Sequence, residues 1–433
     1  MEGLLEFVSN LTPAQMLAYF WPFFLLDMIR YVFLEIILIS SYFFKKYLNK
    51  AKIRKARHTL FRSKPLVSVI VPGKNEGKHL AKLVSALENQ TYQNFELIVV
   101  DDGSDDNTPY ICRQLQAKGK IDVFIRNEIR GGKASAANTA LKFSKGKYIV
   151  HVDADSHLAS DSIETILLPF FINSEIGAVG GDVRVANAED SFASRLQSIE
   201  YLKTITSGRT AATEMHILRI ISGAHGAFRC DVLQQIEGWD VGPGLDGDIT
   251  LKIRKLNYRV VHEPKAICYT NVPVSFKKLA KQRYRWDKSM VRFRMRKHID
   301  ILKPNANFRL STFFSVAENI LFNLFFDIKW IVYFIFMLLT STENLGYILI
   351  INYFLYFLAN CIQYFVAMAI VGEEQQRRDG LLALFLPLMP FYTGVYLRII
   401  RTYSYLMELL HKTSFDDAWN PWKVSKIAKR ENL

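Results

Sequence analysis

The chain has 433 residues, half of them apolar, and a formal net charge of +14. That length accommodates a large catalytic core together with a membrane region, and the charge calls for an anionic partner: nucleic acid, anionic lipid or a phosphorylated substrate. The four cysteines, Cys112, Cys230, Cys268 and Cys361, show neither close pairing nor metal-ligand spacing, which excludes a disulfide-built scaffold and a thiolate metal centre in favour of reduced thiols.

The apolar residues crowd into the first fifty positions and the last third. Residues 18–44 exceed the ~20 apolar residues that cross a bilayer, although Asp27, Arg30 and Glu35 interrupt them. One long or tilted span is the reading, two short ones the alternative. No basic segment precedes this run, so a cleaved signal peptide is not expected. Lys and Arg then accumulate from Lys45 to Lys64, the mark of a cytoplasmic flank, and the region that follows is expected in the cytosol.

From about 65 to 270 the texture becomes that of a soluble α/β domain. Short β-branched runs at 66–71, 97–100, 123–125 and 148–152 end in turn residues and alternate with helical stretches. Near-continuous apolar runs of this length suit strands buried on both faces of a parallel sheet, giving a doubly wound, nucleotide-binding class of α/β fold. Between 275 and 298, Leu279, Trp286, Met290 and Phe293 share one helical face while Lys and Arg fill the rest. The expectation is a helix on an anionic leaflet; packing on the soluble core is the alternative. Further apolar spans fall at about 311–340, 346–371 and 381–409. One span before the domain and three after it would leave the basic tail, Lys423 to Arg430, outside, against the positive-inside tendency. An interfacial or re-entrant segment would resolve the conflict, and Pro387 and Pro390 single out the last.

Ligands of open α/β sheets bind beyond the carboxyl ends of the strands, and three acidic clusters fall there: VSVIVPGKNEG at 67–77, VVDDGSDDNT at 99–108 and VHVDADSH at 150–157. Asp153 and Asp155, two apart at a strand end, point the same way. Two such carboxylates repel unless a cation lies between them, and a hard ion with oxygen ligands, Mg²⁺ or Mn²⁺, is the natural filler. A turn or capping aspartate is the other reading. Asp101 and Asp102, before Gly103, suit either a base-binding carboxylate or an Asp-Gly turn. Arg130-Gly131-Gly132-Lys133 suits a phosphate loop or a solvated one.

These stretches, followed in order by GGKASAAN, SGAHGAFRCDVL, DGDITLKIRK and QRYRW, resemble family 2 of the inverting GT-A glycosyltransferases, above all the processive synthases of hyaluronan, chitin, cellulose and poly-N-acetylglucosamine. The likeness covers roughly residues 65 to 300. It implies a GT-A, Rossmann-like nucleotide-binding domain flanked by transmembrane α-helices and interfacial amphipathic helices: a membrane region at 1–50, a cytosolic transferase domain at 51–273, an interfacial helix at 274–310, and a membrane region with basic tail at 311–433. It further implies a multi-pass protein of the plasma or inner membrane, metal-dependent, polymerising a β-linked polysaccharide and extruding it through its own membrane region.

By the same resemblance, Asp102 with Asp101 holds uridine, Pro72, Glu76, Lys133 and Asp153 also line the nucleotide site, and Asp153 and Asp155 bind the metal, Asp155 most directly. Asp246 stands at the place of the catalytic base, with Asp248 as the alternative. Gln282, Arg285 and Trp286 match Q-x-x-R-W, Trp286 stacking on the acceptor sugar and Arg285 meeting the diphosphate. One departure is Leu245 where many members have Glu. The implied partners are a UDP-sugar (UDP-GlcNAc, UDP-Glc or UDP-GlcA), the growing polysaccharide, membrane lipid, and export or regulatory subunits. Nucleic acid is not expected, because the basic residues cluster beside apolar spans. Transfer of a single sugar to a lipid phosphate and a non-catalytic scaffold are the rival functions.

Overall fold

Along β1 (Val67–Gly73), Val67, Val69 and Val71 pack one way, with Leu80, Leu83 and Leu87, while Ile70 packs the other way, with Ala136, Ala137 and Ala140. Both faces of the strand are buried, which is why its sequence is apolar without alternation. The computed structural model describes residues 2–240, 245–304 and 308–416, together with Pro421 and Lys426. The other strands are β2 (Phe95–Asp101), β3 (Val123–Arg126), β4 (Tyr148–Val152), β5 (Ser156–Leu158), β6 (Ile176–Val185), β7 (His225–Arg229) and β8 (Arg259–Thr270). They form one eight-stranded sheet in the order β3-β2-β1-β4-β7-β6-β8-β5. The first four neighbours are parallel; β7 runs antiparallel to both β4 and β6, and β8 resumes parallel to β6.

The four parallel strands are those expected from the sequence, within two residues at each end. The sheet is nevertheless mixed, so the doubly wound parallel pattern holds for its first half alone. Gly73 pairs in register with Asp101, so the loops after β1 and β2 leave the sheet side by side. The helix Lys133–Phe143 buries Ala134, Ala136, Ala137 and Ala140, and these small side chains let it settle closely onto β1 and β2.

Among the described residues, three helices are long and apolar enough to cross a membrane, Leu310–Thr340, Leu345–Ile370 and Glu373–His411. Large apolar side chains stand open on them, among them Leu339, Phe365 and Leu384. Residues 13–48 are helical with π-type turns at Pro22–Asp27 and Ile29–Phe33, but this segment is not one of the three. Its interrupting charges are partnered inside the protein. Arg30 pairs with Glu318 at 2.7 Å, Glu35 accepts a hydrogen bond from Ser207, and Asp27 accepts one from Tyr356. Of the tail from Lys423 to Arg430, all but Lys426 lies outside the described residues.

The basic helix is clasped on several sides. Phe276–Ser289 packs along Leu397–His411. Its Leu279 joins Leu196, Tyr364 and Met389 in one apolar cluster, while Met290 and Val291 beyond it join Leu251, Val316 and Tyr405 in another. Lys277, Lys278 and Lys281 are exposed, as a leaflet-facing helix requires, but Lys288, Arg292 and Arg294 are buried. Within the π-type turns over Met290–Lys297 the helical phase shifts, and Arg292 and Arg294 turn inward beside the buried Met290 and Phe293. Trp286, placed on the apolar stripe from sequence, is instead 41% exposed.

Candidate active site

The loops at the parallel strand ends are tied into one rim. The Asp102 amide donates to the Gly73 carbonyl (2.8 Å), and the Asn75 amide to Ser104 Oγ (2.8 Å). The two adjacent aspartates of β2 and its end do different work. Asp102 accepts from the amides of Gly131 (2.8 Å) and Gly132 (2.7 Å) and from Asn127 Nδ2 (3.2 Å). Three of its roughly four acceptor positions are thus spent on fixing the glycine loop. Gly132 has φ +87°, a conformation that favours glycine, and it presents its amide to Asp102 while launching the helix that begins at Lys133. Asp101 uses Oδ1 to receive Ser104, whereas its Oδ2 is buried without a hydrogen bond and lies 3.6 Å from Arg126 Nε. Asp101 also lines a cleft between the ends of β1 and β2, with Gly73, Glu76, Thr108 and Ala154.

Lys133 carries the chain of contacts to the third cluster: its Nζ is salt-bridged to Asp153 Oδ1. Burial pulls the Lys133 pKa down, but Asp153, Asp246 and Asp155 outweigh it and hold the ammonium above its ordinary range. Burial, then the Asp153 charge, pushes the Asp155 carboxyl up. Burial, then Asp155 and Asp153, raises Glu76 to about 7. Burial and neighbouring carboxylates thus both disfavour the charged forms of Asp155 and Glu76. Pro72 pairs with Val100 inside the sheet and shapes the strand end that delivers Glu76. Among the described residues no three His, Cys, Asp or Glu side chains are gathered tightly enough to hold a metal by themselves. Two aspartate oxygens, with water and phosphate completing the shell, are what a Mg²⁺-type ion usually takes from a protein, and the excess negative charge around Lys133 fits such an ion.

Asp246 enters from the other side, in the first turn of the helix Leu245–Lys255. Its Oδ2 accepts from the Gly223 amide at 2.8 Å, and the Gly223 carbonyl accepts from His151 Nδ1 at 2.5 Å. Burial, then Lys133, lowers the His151 pKa to about 4, so this ring is a neutral donor at pH 7. A methyl group at Gly223 would stand 2.7 Å from Asp246 Oδ1 and 3.2 Å from Lys133 Nζ. The Asp246 carboxylate and the Lys133 ammonium thus flank one bare glycine. Burial pushes the Asp246 carboxyl up, and Lys133 and the Gly223 amide pull it back only in part. Asp248 has a different setting: it is buried, 2.6 Å from His298 Nε2 and 3.0 Å from Lys297 Nζ. Burial works to raise its pKa, but His298 and Lys297 outweigh it and depress the carboxyl. It anchors the helix rather than facing the rim.

In the Q-x-x-R-W segment, Gln282 has a buried Oε1 without a hydrogen-bond partner. The Trp286 ring lies 4.9 Å from the Arg283 guanidinium, which pairs with Glu200 at 2.9 Å. Glu200 also accepts from Tyr392 at 2.8 Å, so this helix is fastened both to the soluble domain and to the last long helix. Sequence reasoning did not assign roles to Gly223, His151 or Glu200. Gly223 lies within the SGAHGAFRC stretch, but its work depends on what packs against it, and Glu200 carries no local signal.

Residues 68–237 match the family model described as Glycosyl transferase family 2. Poly-beta-1,6-N-acetyl-D-glucosamine synthase of Staphylococcus epidermidis is 29% identical over 249 residues, 57% of this chain and 59% of that protein. Its namesake from Staphylococcus aureus is 28% identical over 214 residues, 49% of this chain and 51% of that one. The chain therefore spans little more than half the length of the curated relatives it matches. Among solved structures, mannosyltransferase PcManGT from Pyrobaculum calidifontis, in complex with GDP-Man and Mn²⁺, aligns with a TM-score of 0.55 at 20% identity, over 88% of this chain and 99% of that one. The sheet is a mixed α/β sheet of the GT-A type.

Proposed function

We propose, from the match of residues 68–237 to the family model described as Glycosyl transferase family 2, that the chain is a membrane-bound inverting glycosyltransferase. On this reading it extends a β-linked polysaccharide from a UDP-sugar, in the plasma or inner membrane, with the catalytic domain in the cytosol. The observation that carries the proposal is the unbroken series Asp102–Gly131/Gly132–Lys133–Asp153, closed by Gly223 and Asp246. It supports one site with a nucleotide end, a cationic middle and a carboxylate able to act as a base. The names of the staphylococcal relatives favour UDP-GlcNAc over UDP-Glc and UDP-GlcA as donor.

Asp102 fixes the glycine loop, and the unsatisfied oxygen of Asp101 in the adjacent cleft is left to accept a hydrogen bond from the pyrimidine. The base-binding share thus moves from Asp102 toward Asp101. A divalent ion held by Asp155 and Asp153 would neutralise charge on the departing diphosphate. Lys133 holds Asp153 in place and adds a second cation to that region, and Arg285 is the candidate to meet the diphosphate from the other side. Asp246, aimed by the Gly223 amide, takes the proton of the acceptor hydroxyl as that oxygen attacks the anomeric carbon. Attack opposite the leaving group turns an α-linked donor into a β-linkage. Trp286, exposed at its helix, offers a face for the terminal sugar, and the long helices beside it are the route by which product would leave.

The test is incubation of purified protein with radiolabelled UDP-GlcNAc, UDP-Glc and UDP-GlcA plus Mg²⁺ or Mn²⁺, scoring glycosidase-sensitive polymer. Polymer from UDP-GlcNAc is expected. Single-sugar glycolipid with no polymer would replace synthesis by transfer to a lipid phosphate.

A further inference from the structure

Away from the rim, a pocket gathers three arginines with no carboxylate among its lining residues. Arg254 comes from the helix Leu245–Lys255, Arg259 opens β8, and Arg309 precedes the first long apolar helix; His216, Ser311 and Thr312 complete the wall. The hydrogen-bond partners found for these guanidiniums here are neutral. Arg254 donates to the His216 carbonyl at 2.7 Å, Arg309 to the Asn257 carbonyl at 2.9 Å, and Arg259 to His216 Nδ1 at 2.8 Å. Arg254 is only 5% exposed, and its Nε is buried with no hydrogen-bond partner. Burial, and secondarily the Arg309 charge, lowers the Arg254 pKa to about 10. Burying charge without a partner is costly, so an anion entering this pocket would remove a standing penalty.

The helix Leu310–Ile320 adds a second feature. Arg309 occupies its N-cap with no side-chain cap, and uncapped first-turn amides favour negative charge. Ser311 and Thr312 of that turn line the pocket. Phe308, Leu310 and Phe314 beside it are exposed, so the cationic wall sits where the first of the three apolar helices starts. On a protein embedded by these helices, that height is the level of lipid headgroups.

We propose that this pocket binds a single phosphate-bearing anion, presented in the membrane by the headgroup of an acidic phospholipid. The guanidiniums supply forked donors matched to phosphate oxygens, and the apolar side chains around them lie where acyl chains would run. The reading rests on the membrane placement of the long helices but not on glycosyl transfer, and the test reads binding alone.

Full-length protein is delipidated in detergent and titrated with phosphatidylglycerol, phosphatidylcholine or inorganic phosphate, with bound lipid counted by native mass spectrometry and phosphate read by thermal melting. Arg259→Gln combined with Arg309→Gln tests the pocket. Arg254 is kept because it secures the turn at His216. Lys277→Gln with Lys278→Gln, both exposed at the start of the basic helix, is the charge-matched control. The expected result is selective phosphatidylglycerol binding, about tenfold or more weaker in the arginine variant, with phosphatidylcholine unaffected and the lysine variant like wild type. Stabilisation by inorganic phosphate alone, lost in the arginine variant, would keep the anion site and replace its lipid source. Equal binding in all three proteins, or equal loss in both variants, would overturn it.

Discussion

Gly223→Ala isolates the alignment of the proposed base without altering any charged group. The added methyl would lie 2.7 Å from Asp246 Oδ1 and 3.2 Å from Lys133 Nζ, and the former is closer than non-bonded atoms tolerate. Gly223 cannot back away freely, since its amide is bound to Asp246 and its carbonyl to His151. The carboxylate must therefore retreat by several tenths of an ångström or rotate off its amide donor. A misplacement near 1 Å at a reacting group costs on the order of 100-fold in rate, so kcat should fall about 10- to 100-fold. Donor binding should hold, because Asp101, Asp102 and the glycine loop are untouched. The assay is initial-rate incorporation of labelled sugar, paired with UDP titration and a melting curve to establish folding. A folded Gly223→Ala protein with wild-type kcat would show that Asp246 need not sit where the Gly223 amide places it.

Asp246→Asn is expected to abolish transfer while UDP still binds; near-normal polymer output would remove Asp246 from the mechanism. Asp248→Asn should instead lower stability by about 3 kcal/mol, the scale for breaking a buried ion pair, while activity per folded molecule persists. Because the folded Asp248 pKa is depressed, its contribution is complete above the unfolded carboxylate value of about 3.9 and disappears as pH falls through the folded value. The gap between wild type and variant should therefore close in acid, and a gap independent of pH in denaturation curves would contradict the assignment. Chelation with EDTA should stop turnover and Mg²⁺ or Mn²⁺ restore it; undiminished turnover in metal-free buffer would count against Asp153 and Asp155 as ligands.

The strands and the acidic clusters at their ends were readable because burial on both faces leaves a long apolar run that stops at a turn. Val67–Gly73 and Tyr148–Val152 are of that kind. The division of work between Asp101 and Asp102 was not readable, since it depends on a glycine loop nearly thirty residues away folding over one of them. The inward turn of Arg292 and Arg294 was not readable, because the π-type turns over Met290–Lys297 change the residues-per-turn on which a helical-face argument relies. The different settings of Asp246 and Asp248 come from partners distant in sequence: the Gly223 amide for one, Lys297 and His298 for the other. The arginine pocket joins three segments, none of which is unusual alone.

The ion pair between Arg30 and Glu318 has a bearing on biogenesis. Its two members lie 288 residues apart, so when the segment around Arg30 is synthesised the carboxylate that will neutralise it has not yet been made. The pair can close only once the chain has been made as far as Glu318. Glu318 also receives Arg219, from the segment leading to Gly223. One carboxylate of the late-made helix Leu310–Ile320 therefore holds both the segment at Arg30 and the approach to the proposed base, so those surroundings are complete only after that helix is in place.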